Sequence, residues 1–362
     1  MDFKRYKMED ISTFSQGKQV EIENQFLEKK ENMKRFLRIV DFTNPNEPMR
    51  YVEDFGSRYY ASSNDLIMIR YGSQTCGKVV TGKDGIIANN MFKITLDNNI
   101  VLNKYAYYYL KQGHIYDYLR NSQNSSTMPS INFGILKKLE IYVPSLDDQK
   151  KIIKILDDID SKINNNDDLI NNLYSLADNY YDNEIVLKTN ETYLLQDIYD
   201  FQYGKGNNNP ANGGIYPVYG SNGIIGGYTE YNNEESPVIG HIGANCGSLI
   251  FAYGKHFVTY NGIMCNIKND NMRYLGYQIM RKVNFRNEIR GSSQPFISYD
   301  LLNNIKIPKI SEVDVNKYES IFKNIYVMIG NLISENDNLS NLRDQLLPKL
   351  LSGEIDLSNI KF

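Results

Sequence analysis

Two stretches of the chain carry apolar residues at heptad spacing, the first from Ile152 and the second from Ile321. Each spans roughly 38–40 residues, or about 60 Å at about 1.5 Å per residue, which is longer than a domain of about 140 residues can cover. The apolar stripe is also wider than a two-stranded seam requires. The pattern predicts two long helices that pair as an antiparallel coiled coil and hold one globule at each end. Packing of each helix on its own globule is the plainer alternative.

Particular side chains are predicted to form the coiled-coil seam. Asn166 falls at an a position, where a buried amide would fix the register, although a solvated Asn at a frayed heptad is equally ordinary. Gly330 is predicted to be a local weak point, and Pro348 to kink or end the last turn. The predicted apolar contacts of the first helix are Ile152, Ile155, Ile159, Leu169, Leu173 and Leu176, with Leu156, Ile163 and Ile170 beside them. Those of the second helix are Ile321, Ile325, Ile329, Leu332, Leu339, Leu342, Leu346 and Leu350.

The rest of the chain alternates short apolar runs with turns. DLIMIRYG from Asp65, SPVIGHIGANCGSLIFAYG from Ser236 and LKKLEIYVP from Leu136 predict strands. The stretches 101–121 and 271–289 predict amphipathic helices. The predicted fold class is therefore α/β, with two tandem α/β domains separated by the two long helices. The predicted boundaries are 1–145, 146–187, 188–310 and 311–362.

The two halves of the chain repeat each other. YKMEDISTFSQGK from Tyr6 aligns with YLLQDIYDFQYGK from Tyr193 at an offset of 187. SSTMPSINFGILKKLEI from Ser125 aligns with GSSQPFISYDLLNNIKI from Gly291 at an offset of 166. The helical stretches correspond at offsets of 166 and then 170, which a four-residue insertion reconciles. These matches keep the same order in both halves, and they predict a duplicated globule-plus-helix unit.

Charge is segregated along the same repeat. The formal net charge is −3, but residues 1–145 carry 20 Lys and Arg against 16 Asp and Glu, and residues 192–310 carry 10 against 8. Mild basicity in both globules is compatible with phosphate contact and equally with ordinary solvated surface. The three cysteines form no C-x-x-C pair, which argues against a metal knuckle or a disulfide framework and favours a reducing cytoplasm. The chain shows no signal peptide or membrane-spanning run, so a soluble protein is expected.

Motifs for catalysis are missing or incomplete. GSQTCGK from Gly72 satisfies the phosphate-loop spacing, but Val79 replaces the residue that would bind Mg²⁺, and a strand follows where a helix is needed. The chain has three histidines, so general acid–base chemistry has few candidates. His241 lies beside a Gly-rich turn, where a structural or surface role is favoured over a catalytic one. The sequence therefore predicts a protein that is not an enzyme.

Four motifs in order along the chain resemble one known family. PVYGSNGIIG from Pro217, IGHIGANCGS from Ile239, SQPFIS from Ser293 and LLPKLLSGEI from Leu346 are similar to the pattern of specificity subunits of type I restriction-modification systems. The first globule is more divergent, since IMIRYGSQTCGKV from Ile67 replaces the strand-turn and STMPSIN from Ser126 replaces the later loop. The resemblance spans nearly the whole chain, and it implies variable target-recognition domains.

The resemblance implies a non-catalytic DNA-reading subunit in which each domain reads one half of a bipartite site. The helices would dock two methyltransferase subunits, and restriction and translocation subunits would join in some systems. S-adenosylmethionine, and ATP with Mg²⁺ for restriction, would then be bound by those partners. An alternative function is a scaffolding protein whose helices mediate assembly and whose globules bind protein or glycan. A single-chain restriction and methylation enzyme is disfavoured, because the chain begins directly at the first globule.

Candidate DNA-binding residues follow from these turns and loops. Lys18 and Lys205 each follow a glycine and are candidate phosphate contacts, with a solvated loop lysine as the alternative. Gln294 precedes Pro295, which favours an extended backbone, and Gln suits bidentate contact with adenine, although it could instead bond the turn backbone. The full candidate set is Lys18, Arg70, Tyr71, Ser73, Gln74, Lys78, Ser126, Thr127, Lys205, Tyr219, Ser221, Asn222, His241, Asn245, Lys255, Ser292, Ser293 and Gln294.

Overall fold

The computed structural model describes the chain except residues 45, 73, 122–129, 190, 207–212, 292–293, 358–359 and 361–362. The chain divides into two compact units. The first comprises Met1–Ile163 and Asn338–Phe362, and the second comprises Asn164–Asp337. Each unit therefore contains one globule together with part of each long helix. Helices and sheets occur in both units, which confirms the predicted α/β class.

The strands of the first unit form two four-stranded sheets and one antiparallel pair. The strands are β1 (Lys4–Lys7), β2 (Ser12–Gln16), β3 (Met33–Leu37), β4 (Arg50–Glu53), β5 (Tyr60–Ala61), β6 (Leu66–Ile69), β7 (Val79–Val80), β8 (Gly85–Ile87), β9 (Met91–Leu96) and β10 (Glu140–Val143). The sheets have the orders β2-β9-β6-β7 and β4-β3-β8-β5, and β1 pairs with β10. The strand β7 after the Gly72 turn confirms that no helix follows the GSQTCGK motif.

The first globule also contains helices, and the first long helix follows its last strand. They are α1 (Met8–Ile11), α2 (Val40–Thr43), α3 (Asn103–Leu110), α4 (Gly113–Asn121), α5 (Phe133–Lys138) and the long α6 (Leu146–Glu184). The predicted helix over 101–121 is thus two helices, and α4 begins at Gly113, a poor helix former. The main core joins Phe92, Tyr105 and Leu136 to Ile152 and Leu350 of the long helices.

The second unit is built on one six-stranded sheet. The strands of this unit are β11 (Thr192–Leu194), β12 (Tyr199–Tyr203), β13 (Tyr216–Gly220), β14 (Gly223–Tyr228), β15 (Asn233–Gly240), β16 (Leu249–Val258), β17 (Gly262–Ile267) and β18 (Lys306–Pro308). The sheet order is β12-β17-β15-β16-β13-β14, and β11 pairs with β18. The helices are α7 (Leu195–Ile198), α8 (Arg273–Arg281), α9 (Tyr299–Asn303) and the long α10 (Glu312–Ser352).

The seam of α6 differs in part from the predicted one. Leu169 and Leu176 are 42% and 55% exposed, so their predicted seam positions are wrong, and Leu342 of α10 is also exposed. Successive residues turn by about 100° around a helix, so a one-residue error in heptad assignment moves a side chain off the seam. Ile155 is half-buried at the flank of the seam. The observed seam residues of α6 are Ile152, Leu156, Ile159, Ile163, Asn166, Ile170, Leu173 and Ala177. Those of α10 include Ile325, Ile329, Leu332, Leu339, Leu346 and Leu350.

Within the second unit, the two long helices run antiparallel. Asn166 is buried, and its Nδ2 donates to Oε2 of Glu335 at 2.8 Å and to Oδ1 of Asn336 at 2.9 Å. Farther along α6, the Glu184 carbonyl accepts a bond from the Tyr318 hydroxyl at 3.1 Å. A later residue of α6 thus meets an earlier residue of α10. The buried amide pair defines one register, because a shifted helix would leave it unpaired.

Within the first unit, the helices are also antiparallel, but the polar layer is charged. Nη1 of Arg343 lies 2.9 Å from Oδ1 of Asp160. Oδ2 of the same carboxylate accepts a bond from the Tyr108 hydroxyl of α3 at 2.8 Å. At the start of α6, Nζ of Lys151 donates to the Leu357 carbonyl at 3.0 Å. The layer therefore ties the helix pair to its globule.

The helix α10 contains two residues that were predicted to weaken or interrupt it, Gly330 and Pro348, and it continues through both. The helix continues through Gly330, where a Cβ atom would lie 2.7 Å from the Tyr253 ring. Glycine is needed there because this ring packs against the helix backbone, and the Tyr253 hydroxyl donates to the Tyr326 carbonyl at 3.0 Å. The helix also continues past Pro348 to Ser352, so Pro348 does not end it, and a kink at Pro348 stays a prediction. Pro348 lies so near the end of α10 that only a short stretch of helix follows it.

Candidate nucleic-acid interface

One end of the second-unit sheet gathers several loops, and we call it the loop end. There β12 ends at Tyr203, β15 ends at Gly240, and β17 begins at Gly262. Backbone bonds join these points, since Gly204 N donates to the Gly262 carbonyl at 3.0 Å and His241 N donates to the Asn261 carbonyl at 2.8 Å. The sheet thus fixes where the loop residues lie.

A turn containing a cysteine is built alike in both units. In the second unit, Gly247 N donates to the Gly240 carbonyl at 2.9 Å, and Cys246 Sγ lies 3.4 Å from the His241 carbonyl. In the first unit, Gly77 N donates to the Ile69 carbonyl at 2.9 Å. Cys76 Sγ there lies 3.1 Å from the Arg70 carbonyl. Burial raises the pKa of the Cys246 thiol, which suits a packing role better than a reactive one.

The paired glycines before Lys18 and Lys205 have a shared physical role. A Cβ on Gly17 would lie 2.1 Å from the Ala88 carbonyl oxygen, and one on Gly204 would lie 2.1 Å from the Thr259 carbonyl oxygen. Neither glycine adopts a positive φ. Both are therefore required by close backbone approach and not by a positive φ.

The structure brings five predicted residues of the second unit together at the loop end. Ser221 and Asn222 form the β13–β14 turn, and Asn245 Nδ2 donates to Asn222 Oδ1. Gln294 is exposed on the loop that reaches the cysteine turn, where Gly243 N donates to the Pro295 carbonyl at 2.9 Å. His241 lies between the turn and this loop, with Nδ1 2.7 Å from the Ile297 carbonyl.

The equivalent end of the first unit gathers another predicted group. Tyr71 forms a bridge with Ser130, on the loop before α5. The Arg70 guanidinium lies 4.8 Å from the Tyr71 ring centre, and Gln74 and Lys78 are exposed on the cysteine turn. Polar and cationic side chains thus meet at one sheet end in each unit, as a surface that contacts DNA requires.

The remaining predicted residues lie elsewhere or are less available. Tyr219 is 6% exposed and packs in an apolar cluster, so it does not belong to the interface, and burial raises its pKa to about 12. Lys255 lies opposite Glu234, with its ammonium 4.6 Å from the Tyr231 ring centre, away from the gathered loops. Lys205 is exposed. Outside the described residues lie Ser73, Ser126, Thr127, Ser292 and Ser293.

Lys18 occupies an aromatic cradle. Its ammonium lies 5.0 Å from the ring centre of Phe55 and 5.5 Å from that of Tyr59. Cation–π contact with these two rings holds the Lys18 side chain in place, so its ammonium is less free to contact a phosphate. The two paired lysines are therefore equivalent in backbone position and different in availability.

Sequence reasoning missed an aromatic cluster at the loop end. The ring centre of Tyr203 lies 4.5 Å from that of His241 and 4.9 Å from that of Tyr299. Both tyrosines are more than a third exposed. The internal repeat does not single them out, because it aligns Tyr203 with Gln16 and Tyr299 with Phe133.

Features of other site classes are not found in the part of the chain that the structure describes. No group of three or more His, Cys, Asp or Glu side chains there could hold a metal ion. Among the same residues, no helix is long and apolar enough to cross a bilayer.

Comparison with known proteins identifies the family. The model of the type I restriction modification DNA specificity domain matches residues 1–174 and 188–310. The type I restriction enzyme MjaIX specificity subunit of Methanocaldococcus jannaschii is 23% identical over 332 residues, covering 78% of this chain and 76% of that subunit. The MjaVIII specificity subunit of the same organism is 29% identical over 114 residues, covering 32% of this chain and 26% of that subunit.

A solved structure shows the same fold. The S subunit of the type I restriction-modification system of M. genitalium has a TM-score of 0.61 at 21% identity, covering 97% of this chain and 96% of that one. This chain belongs to the type I restriction modification DNA specificity domain family. Its function class is DNA sequence recognition in a restriction-modification complex, and the scaffolding alternative is not favoured.

Proposed function

We propose that each unit of this chain reads one half of a bipartite DNA site through the sheet end described above. The duplicated sheet end carries this proposal, because the same backbone frame presents exposed polar residues in both units. Two readers in one chain suit a split site, since the separation of the readers sets the separation of the half-sites. Direct base contacts come from side chains on these loops, and lysines such as Lys205 supply phosphate contacts.

The chain itself is proposed to be non-catalytic and to act within a complex. Exposed apolar residues on the long helices, including Leu169, Leu176 and Met328, support docking of two methyltransferase subunits. Restriction and translocation subunits would join in systems that also cut DNA. S-adenosylmethionine, ATP and Mg²⁺ would be bound by these partners, and the working compartment would be the cytoplasm.

Methylome sequencing tests the proposal directly. Cells that hold a partner methyltransferase are compared with and without this chain, and a bipartite motif should be methylated only when the chain is present. Replacing residues 1–145 with the equivalent block of a relative should change one half of the motif and leave the other intact. Simultaneous change of both halves would contradict the assignment of one reader to each unit.

The loop of Gln294 allows a finer test of base reading. Gln294→Ala should relax one position of one half-site, with normal thermal stability and normal assembly with the methyltransferase. An unrelaxed motif together with a lower melting temperature would show instead that Gln294 stabilises the turn.

A further inference from the structure

Arg70 and His241 occupy the same position in the two units. Arg70 N donates to the Asn90 carbonyl at 2.9 Å, and His241 N donates to the Asn261 carbonyl at 2.8 Å. The Arg70 carbonyl accepts from Ile131 N at 3.1 Å, and the His241 carbonyl accepts from Ile297 N at 3.0 Å. Each carbonyl also lies beside the sulfur of its cysteine turn. Both backbones are thus held on either side by the same bonds.

The side chains at this position have opposite hydrogen-bonding character. Arginine is a donor only, with five N–H groups in a fixed fork. In His241, Nδ1 faces the Ile297 carbonyl, which can only accept, so Nδ1 carries the proton. In the tautomer with its proton on Nδ1, Nε2 is an acceptor. The same backbone frame therefore carries a donor fork in the first unit and an acceptor in the second.

Among the described residues, each of these two side chains keeps a hydrogen-bonding group without a partner. Arg70 makes no ion pair there, and its buried Nε has no hydrogen-bond partner. Its guanidinium lies over the Tyr71 ring. Nε2 of His241 likewise has no partner among these residues, and the ring packs against that of Tyr203 at the end of β12. Each group is rigidly placed beside exposed loop residues.

The chemistry of base edges distinguishes the two. In the major groove, guanine offers the acceptors O6 and N7, which an arginine fork meets in pairs. Adenine N6 and cytosine N4 are the amino donors in that groove, and a neutral histidine Nε2 can accept from either. We propose that Arg70 and His241 are equivalent specificity-determining residues, with Arg70 reading a guanine in one half-site and His241 reading a base that carries an amino group in the other. This proposal rests on the proposed function of the two sheet ends.

Reciprocal substitution in the full chain, assembled with its methyltransferase, tests this pairing. A plasmid library with randomised half-sites is methylated by the wild type, by Arg70→His and by His241→Arg, and the modified sites are sequenced. His241→Arg should shift one position of one half-site toward guanine, and Arg70→His should remove a guanine preference in the other. The preference at each position should fall by roughly 5- to 150-fold. Arg5→His and His114→Arg, on exposed surface of the first unit, are the matched controls and should leave the motif unchanged.

Base analogues identify the group that His241 contacts. The preferred base at the His241 position is replaced with purine, where it is adenine, or with 2-pyrimidinone, where it is cytosine, so that only the amino group is lost. Wild-type methylation should fall, whereas His241→Ala should show no further loss. An unaffected wild type would overturn the acceptor role.

Other outcomes separate the possible failures. Uniformly weaker binding with a smaller salt slope and an unchanged motif would make these residues phosphate contacts, which overturns the inference and leaves the proposed function intact. Shifts that fall in the same half-site would contradict the equivalence of the two positions. A wild-type complex with no sequence preference at all would overturn the proposed function itself. Thermal melts of each variant identify any loss of folding, and Arg70→Lys and His241→Gln provide milder substitutions at the same positions.

Discussion

The two globules have the same strand topology, but their strands differ in continuity. In the second, β15 and β16 run unbroken through one sheet. In the first, the corresponding chain is cut into β5 and β6 and into β7 and β8, so two sheets result. The parallel pairing of β3 with β8 matches that of β13 with β16. Both globules thus share one pairing scheme.

The difference lies in how each chain bends. Glu235 and Gly254 have φ values of 44° and 62°, and β15 pairs with β16 through a bulge beside Glu235. A bulge bends a strand without ending it. In the first globule a turn at Ser62–Asp65 and one at Gly82 end the strands instead. The sheet end is therefore preserved even where the strands behind it are interrupted.

Replacement of either equivalent glycine, Gly17 or Gly204, with alanine should have the largest effect on stability. Gly17→Ala and Gly204→Ala place a Cβ against a backbone carbonyl, which cannot move like a flexible side chain, and overpacking costs about 1–3 kcal/mol of unfolding free energy. Urea unfolding gives the loss of stability, and limited proteolysis shows which unit opens. Gly113→Ala, which has nothing within 4 Å of the added Cβ, is the control and should be neutral or stabilising. Equal tolerance of all three would refute a shared requirement.

The polar layers of the two helix pairs should differ in their response to salt. Asp160→Ala removes the carboxylate that pairs with Arg343 and also accepts from Tyr108. Asn166→Ala removes a neutral amide that donates to Glu335 and Asn336, so no ion pair is lost. Each substitution should cost about 1–2 kcal/mol. The cost of Asp160→Ala should shrink in 1 M NaCl, because salt screens charges over about 3 Å, and that of Asn166→Ala should not. Asp158→Ala, in an exposed pair with Lys154, should change stability by less than about 0.5 kcal/mol. The same salt dependence in both layers would contradict the contrast.

The paired lysines should contribute unequally to DNA binding. Lys205→Ala should reduce the slope of log K against log salt by about one unit, without relaxing any base preference. Lys18→Ala should reduce it less, because its ammonium already lies against Phe55 and Tyr59. Binding of the assembled complex to one duplex across a salt series measures both slopes. An equal reduction would show that the aromatic cradle does not restrain Lys18.

The smallest effect concerns acid stability of the second unit. Burial lowers the pKa of His256, whose ring lies in the fold beside Tyr219. The unfolded chain therefore binds this proton more readily, and the contribution of His256 to stability is full above about pH 6.5 and declines as the pH falls below it. His256→Gln should flatten the loss of melting temperature between about pH 7.5 and pH 5. Parallel pH curves for wild type and variant would exclude this residue as the cause.

The duplication, the α/β class, the long helices and the family could all be predicted from the sequence, because each rests on periodicity or on motifs that are local or repeated. The sequence also placed Asn166 in the seam. It misplaced Leu169 and Leu176, because the seam is selected by the partner helix and the globule and not by apolar residues alone.

Which loop residues meet could not be predicted from the sequence, because it depends on how the strands pair. Tyr219 and Asn222 lie three residues apart in one motif, yet the sheet buries the first and leaves the second at the loop end. The equivalence of Arg70 and His241 is likewise invisible in residue type, since one side chain is a guanidinium and the other an imidazole. It emerges from backbone hydrogen bonds between segments distant in the chain, which side-chain patterns along one segment do not encode.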